Sequence, residues 1–298
     1  MRIPLAPIEI LPSSVEHEID TLEKLPYLER RHTIESEFPS QMYRYLSSQI
    51  SDDFLADYLL DSFFWLSSPA DLNDPFDMSA YVTLGQDIHK LRKKSDELIR
   101  RHNPTANWKT RRKIVSDMMC NPEKQQSLTK SAFENNIKKI GVLCFSEEDL
   151  NLLMWSHYAD HHKGLVLQFD IAHDVRTMLR INKVDYSNEY PLIDWSEPTI
   201  EGALLKTVMR KHEGWLYERE WRMIIPNGAK TYLEFNPEAI TRLIFGCRAD
   251  IELKKKILNI LQRRAAKNLS PINILCAVKH QKEYKLTVEE DHSLDWPS

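Results

Sequence analysis

Glycine is scarce in this chain. Seven glycines in 298 residues are few, and neither G-x-G-x-x-G nor G-x-x-x-x-G-K-[ST] occurs. Rossmann dinucleotide binding and P-loop NTPase chemistry both need glycine turns that bring backbone N–H groups against phosphates, so neither is expected. G-x-S-x-G and H-E-x-x-H are missing too, which removes the serine-hydrolase elbow and the zincin helix. The four cysteines, at 120, 144, 247 and 276, form no C-x-x-C pair. Cys144 and Cys276 sit in apolar, strand-like runs and read as buried thiols, so disulfides are not expected. No apolar run reaches the roughly 20 residues of a bilayer span. The opening MRIPLAPIEILPSS lacks the apolar core of a signal peptide. The expectation is a cytoplasmic protein with no membrane contact.

What is present suits a soluble globular chain. Hydrophobic residues make up 42% and charged residues 28%, enough apolar material for a sizeable core. The net charge of −4 is unevenly spread. Residues 89–113 hold ten Lys/Arg against two acids, a local balance of +8 that leaves −12 for the rest. Such a segment can attract nucleic acid or another acidic partner. A solvated helical face accounts for the same charges without a partner.

Residues 1–35 are Pro-rich and then acidic-polar, without clear periodicity, and read as a surface wrap. Phe38, Met42, Tyr45, Leu46 and Ile50 recur at helical spacing, and Phe63 to Leu66 make an aromatic strand. SSPADLNDPFD is a loop. Residues 86–139 predict two or three charged helices punctuated by Pro104 and Pro122, an insertion or lid within a single domain of 1–298. GVLCFS reads as a strand, SEEDLNLLMWSHYADHH as a helix stopped by Gly164, and GLVLQFD as a strand. Further strands are predicted near 181–187 and 218–226 and in INILCAVKH and YKLTVEE, and AITRLIFGC (239–247) mixes a turn of helix with a short strand. Helices are predicted at 199–214 and in DIELKKKILNILQRRAAK, where Ile251, Ile257, Leu258 and Leu261 share a face. Strands and helices do not alternate strictly, so the fold class is α+β, with a mixed or mainly antiparallel sheet, surrounding helices and a helical insertion.

Five stretches carry candidate chemistry. On a helix, His157 and His161 share a face, a spacing that can ligate zinc, but no third ligand lies on it. Trp155 and Tyr158 either pack inward or line a polar cleft with His157. Ser146 starts a capping-box pattern, or stands at a strand end as a ligand hydroxyl. In YEREWR, strand parity puts Glu218 and Glu220 on one face. Two such carboxylates can stabilise an oxocarbenium ion, or lie solvated with Arg44 or Arg222 as counter-ion. Arg44, between two tyrosines, suits a phosphate. Asn73 sits in a tight Asn-Asp-Pro turn able to carry a ligand contact.

Assembled, these stretches resemble a widespread bacterial family known mainly as a domain of unknown function. The blocks that carry the resemblance are Tyr43-Arg44, Asn73 to Asp77, Cys144 to Ser146, Met154 to Gly164 and Glu218 to Arg222, spread over residues 40–250. The order Arg44, Ser146, Glu218-x-Glu220 is also similar to the Arg-Ser-Glu pattern of ADP-ribosyltransferases, with Cys-Phe-Ser where that pattern has Ser-Thr-Ser. That resemblance implies transfer of ADP-ribose from NAD to a macromolecule, as in a toxin or phage-defence effector. Glu220 would stabilise the ribosyl cation, Glu218 would orient the acceptor and Ser146 would shape the nicotinamide pocket. Arg44 would hold a phosphate or ribose of NAD, and Tyr158 or Trp155 would stack on nicotinamide, beside His157 and Asn73. The competing classes are a non-enzymatic ligand- or nucleic-acid-binding regulatory module and a His-dependent metal hydrolase or nuclease.

Overall fold

A computed structural model describes residues 13–36, 38–197 and 201–297. The wrap expected for residues 1–35 is two helices, Ser13–Lys24 and Tyr27–Glu35, within the described part. Their periodicity is sparse because few positions face inward: Ile19, Leu22 and Ile34 are the buried ones. Residues 1–12 lie outside the described residues.

The helical spacing expected over 36–62 holds only in its second half. Gln41–Leu46 is a strand, and the helix follows at Asp52–Leu59, capped by Ser51, which accepts from the Phe54 N–H. In QMYRYL the alternation of Met42, Arg44 and Leu46 with Tyr43 and Tyr45 has period 2, and both sides are partly apolar, which mimics a helical stripe. The predicted long helix from 147 to 162 is likewise shorter. It runs over Leu152–Tyr158 and is capped by Asn151, whose side chain accepts from the Leu153 and Met154 N–H groups. Ser146 therefore caps no helix. The buried stripe of the helix Ile251–Ala266 is Leu253, Ile257, Ile260 and Leu261, while Ile251 is exposed. None of the four cysteines is in a disulfide among the described residues, and Cys144 and Cys276 are half-buried.

The fold is α+β. Among the described residues a mixed eight-stranded sheet runs in the order Leu286–Glu290, Asn273–Lys279, Ile240–Phe245, Leu165–Asp170, Gln41–Leu46, Gly141–Ser146, Glu220–Ile225, Asn182–Lys183. All neighbours are antiparallel except the parallel pair Ile240–Phe245 with Asn273–Lys279. One face carries the larger core, in which Phe64 meets Phe235 at 4.1 Å, Phe169 at 5.2 Å and Phe145 at 5.7 Å between ring centroids. The other face carries a smaller cluster of Tyr45, Trp155, Ala159, Val166, Ile244 and Leu275. Arg264 is buried in the larger core's helix, and its guanidinium donates to the carbonyls of Ser270, Leu59 and Pro237 at 2.7–2.9 Å. Every donor edge it buries thus meets an acceptor.

Contacts divide the chain into two compact units. The first takes in the described residues of Met1–Ser67, Gly141–Val184 and Gly214–Ser298, and so the whole large sheet. The second comprises Ser68–Ile140 and Asp185–Glu213. Within it lie the three helices of the 86–139 segment, Ile88–His102, Trp108–Met119 and Pro122–Ile137. Each starts on a side-chain cap, Asp87, Asn107 and Asn121 respectively, and Pro122 takes the first helical position of the third.

Candidate functional site

The register of the first unit's sheet lines up polar residues from distant parts of the chain. Arg242 pairs with Gln168, Gln168 with Tyr43, Tyr43 with Ser146, and Ser146 with Glu220. Directly paired residues point to the same face, so these five side chains form one row across five strands. At about 4.8 Å per strand the row is roughly 19 Å long. It lies on the face that carries Tyr45, Trp155 and Val166.

At one end of the row the charges are buried and paired. Glu220 and Arg222 stand two apart on Glu220–Ile225, on the same side, and the arginine is fully buried. Its Nε donates to Glu220 Oε1 at 2.8 Å and its second terminal nitrogen to Oε2 at 3.0 Å. This two-pronged geometry satisfies both carboxylate oxygens at once. Glu218 is buried beside it, and Tyr158 donates its hydroxyl to Glu218 Oε1. Ser146 is buried as well. It donates to the Glu218 carbonyl at 2.7 Å and accepts from the Glu148 N–H at 3.1 Å.

The two glutamates do not share a strand face in the simple way expected. Glu218 ends a 3-10 turn, Glu213–Glu218, and Arg219 adopts a left-handed φ of 43° before the strand begins. After that break in the period-2 pattern Glu218 buries its carboxylate against the Tyr158 hydroxyl, and Glu220 holds Arg222. Of the two expected counter-ions, Arg222 is the partner of Glu220.

Next to the buried charges lies an aromatic group. The exposed ring of His157 is 6.4 Å from Trp215 and 6.2 Å from Tyr217 between centroids, and Trp215 and Tyr217 are 6.0 Å apart. Tyr43 is half-buried further along the row. Burial, then the negative charge of Asp149, pushes its hydroxyl up to about 12. Burial also raises the pKa of Asp149 itself.

The remaining sequence candidates fall elsewhere. Arg44 points to the opposite face of the sheet, where its Nε donates to the Tyr58 hydroxyl and a terminal nitrogen to the Cys144 carbonyl, each at 2.7 Å. The strands Gln41–Leu46 and Gly141–Ser146 are bridged at the single pair Tyr43–Ser146, and the Arg44 guanidinium supplies a donor where the ladder opens. Trp155 is fully buried, with Tyr45 edge-on at 5.5 Å and its indole N–H on the Asp149 carbonyl at 2.7 Å, so no ring face is left for nicotinamide. The helix ends before His161, whose φ is +54°, so His157 and His161 do not share a helical face. Among the described residues no three His, Cys, Asp or Glu are grouped to hold a metal ion. Asn73 is exposed in the second unit, where it lines a cavity of about 480 Å³ with Asp74, Asp77, Phe133 and Tyr190. Several of the basic residues of 89–113 are paired within that unit: Lys90 and Lys94 with Glu197, and Arg100 and Arg111 with Asp96.

Sequence reasoning missed the row partners Gln168 and Arg242 and the rim residues Trp215 and Tyr217. For the aromatics a local signal exists, because Trp215-x-Tyr217 directly precedes Glu218. The other two become visible only through strand pairing.

Residues 154–223 match a protein family described as a protein of unknown function, DUF2971. No curated protein and no solved structure matches the chain. The DUF2971 stretch holds Tyr158, Trp215, Tyr217, Glu218, Glu220 and Arg222, and so the buried ion pairs with their aromatic rim. The Tyr43-Arg44, Asn73–Asp77 and Cys144–Ser146 blocks lie outside it.

Proposed function

We propose that the protein cleaves an N-glycosidic bond in the manner of an ADP-ribosyltransferase, taking NAD as substrate and passing ADP-ribose to water or a macromolecule. The observation that carries this reading is the alignment of Ser146 and Glu220 on adjacent strands with Glu218 buried against Tyr158. Glu218 and Glu220 concentrate carboxylate charge in a buried setting at this end of the row. Such a charge favours the ribosyl oxocarbenium formed as the C1′–N bond breaks and nicotinamide leaves with the electron pair. The nucleophile then bonds to C1′ and gives up its proton. Glu218 and Glu220 act on the ribose, Ser146 shapes the floor and His157, Trp215 and Tyr217 stack on nicotinamide. Arg242, at the far end of the row and exposed, takes the place first expected of Arg44 toward the NAD phosphates.

The test is nicotinamide release from NAD by the purified chain. Turnover is expected to fall by about a hundredfold or more in Glu218→Gln, in line with loss of a preorganised electrostatic contact. Absence of any release from the wild-type chain sinks the reading.

One observation favours a second reading, a ligand-binding regulatory module. Arg222 takes up both oxygens of Glu220, an arrangement that holds a site rigid as readily as it stabilises a cation. In that case the aromatic rim binds a base without reaction, and the exposed cations of 89–113 recruit nucleic acid. NAD bound without release of nicotinamide would select it.

A further inference from the structure

A cavity of about 540 Å³ in the first unit shares no residue with the group around Glu218 and Glu220. Its wall includes His162, Cys247, Arg248, Lys279, Lys282 and Lys285. Four of these are exposed cations. The one lining acid, Glu283, is paired with Lys285, so the mouth carries an excess of positive charge. Clustered cations facing a concavity concentrate anions there.

The wall itself is strained. Asp160, His161 and His162 have φ of +46°, +54° and +68°, three successive non-glycine residues in the left-handed region. Each costs roughly 1–2 kcal/mol relative to the right-handed form. The surroundings hold the turn in place. The His162 N–H donates to the Trp155 carbonyl at 3.1 Å, and the Arg248 N–H donates to the His162 carbonyl at 2.9 Å. Gly246 packs so closely that a Cβ there would come within 2.1 Å of the His162 carbonyl oxygen. The Nδ1 of His162 is buried with no hydrogen-bond partner among the described residues. Backbone strain of this kind clusters at ligand clamps, active sites and switches, and a buried polar atom with no protein partner has a place for a ligand atom, an ion or a water.

The third feature is the hairpin between Asn273–Lys279 and Leu286–Glu290. Tyr284 stands at its tip fully exposed, with Lys282 and Lys285 on either side. An aromatic ring flanked by lysines is the arrangement that stacks a base while neighbouring cations hold phosphate.

We infer that this cavity binds a phosphate-bearing nucleotide, free or as part of a nucleic-acid strand, with Arg248, Lys279 and Lys282 toward the phosphate and Tyr284 against the base. The site is independent of the transferase reading, since neither its residues nor its chemistry enter that reaction. The test titrates the full chain with ADP and, separately, with a dye-labelled oligothymidylate, at low and raised salt, with inorganic phosphate as competitor. Lys279→Glu/Lys282→Glu is expected to weaken the probe that binds by about tenfold or more, with a shallower salt dependence. Tyr284→Ala is expected to weaken it by about tenfold through lost stacking. Lys255→Glu/Lys256→Glu, exposed on the helix Ile251–Ala266 and outside the cavity wall, should leave binding unchanged, and NAD turnover should be unchanged in the Lys279/Lys282 variant. Binding of ADP points to a free nucleotide, and binding of the oligonucleotide alone points to a strand. The inference is overturned if neither probe binds, or if the Lys279/Lys282 variant binds as tightly as the wild type with an unchanged melting temperature.

Discussion

Two charged regions of the first unit solve opposite problems. Around Glu220 the charges are taken out of water and answered in kind: guanidinium on carboxylate, tyrosine hydroxyl on carboxylate, serine hydroxyl on a backbone carbonyl. Around Arg248 and the 279–286 hairpin, cations of one sign stay in water and face one another across a cavity. Desolvation makes the first arrangement costly to disturb, because removing one partner strands the other. High dielectric makes the second nearly indifferent to substitution in the free protein. The first region therefore shapes the fold as well as any chemistry, whereas the second can be altered without disturbing the fold and so reads out ligand binding cleanly.

The comparison is broken most directly at Glu220. Glu220→Gln removes the carboxylate that takes two prongs of the buried Arg222 and is expected to cost about 3–5 kcal/mol in a denaturant melt. The double change Glu220→Gln/Arg222→Met should recover part of that loss, because the buried guanidinium is removed as well. This coupling makes Glu218, not Glu220, the cleaner target for testing turnover. Tyr158→Phe deletes one donor to a buried carboxylate, with an expected loss of about 1.5–3 kcal/mol. Gly246→Ala probes the strained turn behind the cationic cavity. The forced shift of the His162 carbonyl should cost about 1–3 kcal/mol, read as a lowered melting temperature.

A smaller effect is expected from pH. Burial first, then the positive charges of Arg248 and His161, lowers the His162 pKa below its ordinary value. The unfolded chain, with His at about 6.5, takes up the proton before the folded chain does. This contribution to stability is thus present above about pH 6.5 and lost as the pH falls from there toward the folded value. Melts between pH 7.5 and 5 should steepen in that window for the wild type and flatten in His162→Gln. The smallest change belongs to Lys279→Glu/Lys282→Glu, which should shift stability by less than about 0.5 kcal/mol. A large loss there would erase the contrast between the two regions.

Much of the architecture was legible locally. GVLCFS, GLVLQFD, INILCAVKH and the three helices of 86–139 announce themselves by alternation, length and proline punctuation. The errors arose where periodicity was ambiguous. QMYRYL alternates with apolar residues on both sides, and DLNLLMWSHYADHH carries enough apolar residues to suggest a helix twice its real length. The left-handed turn of Asp160 to His162 uses residue types that enter that region more readily than most, but three in succession are fixed by tertiary contacts and not by local sequence.

By itself, then, the sequence determined which side chains with chemical potential exist, roughly which elements carry them, and which glycine-dependent chemistries are closed to the chain. Tertiary structure alone decided their company. Ser146 meets the Glu218 carbonyl across 72 residues of chain, Arg44 meets the Cys144 carbonyl across 100, and the row from Arg242 to Glu220 depends on four strand pairings. Local propensity acts over one turn or one strand, whereas register is set by how two faces of a sheet bury their apolar sides together, and that is a property of the whole assembled core.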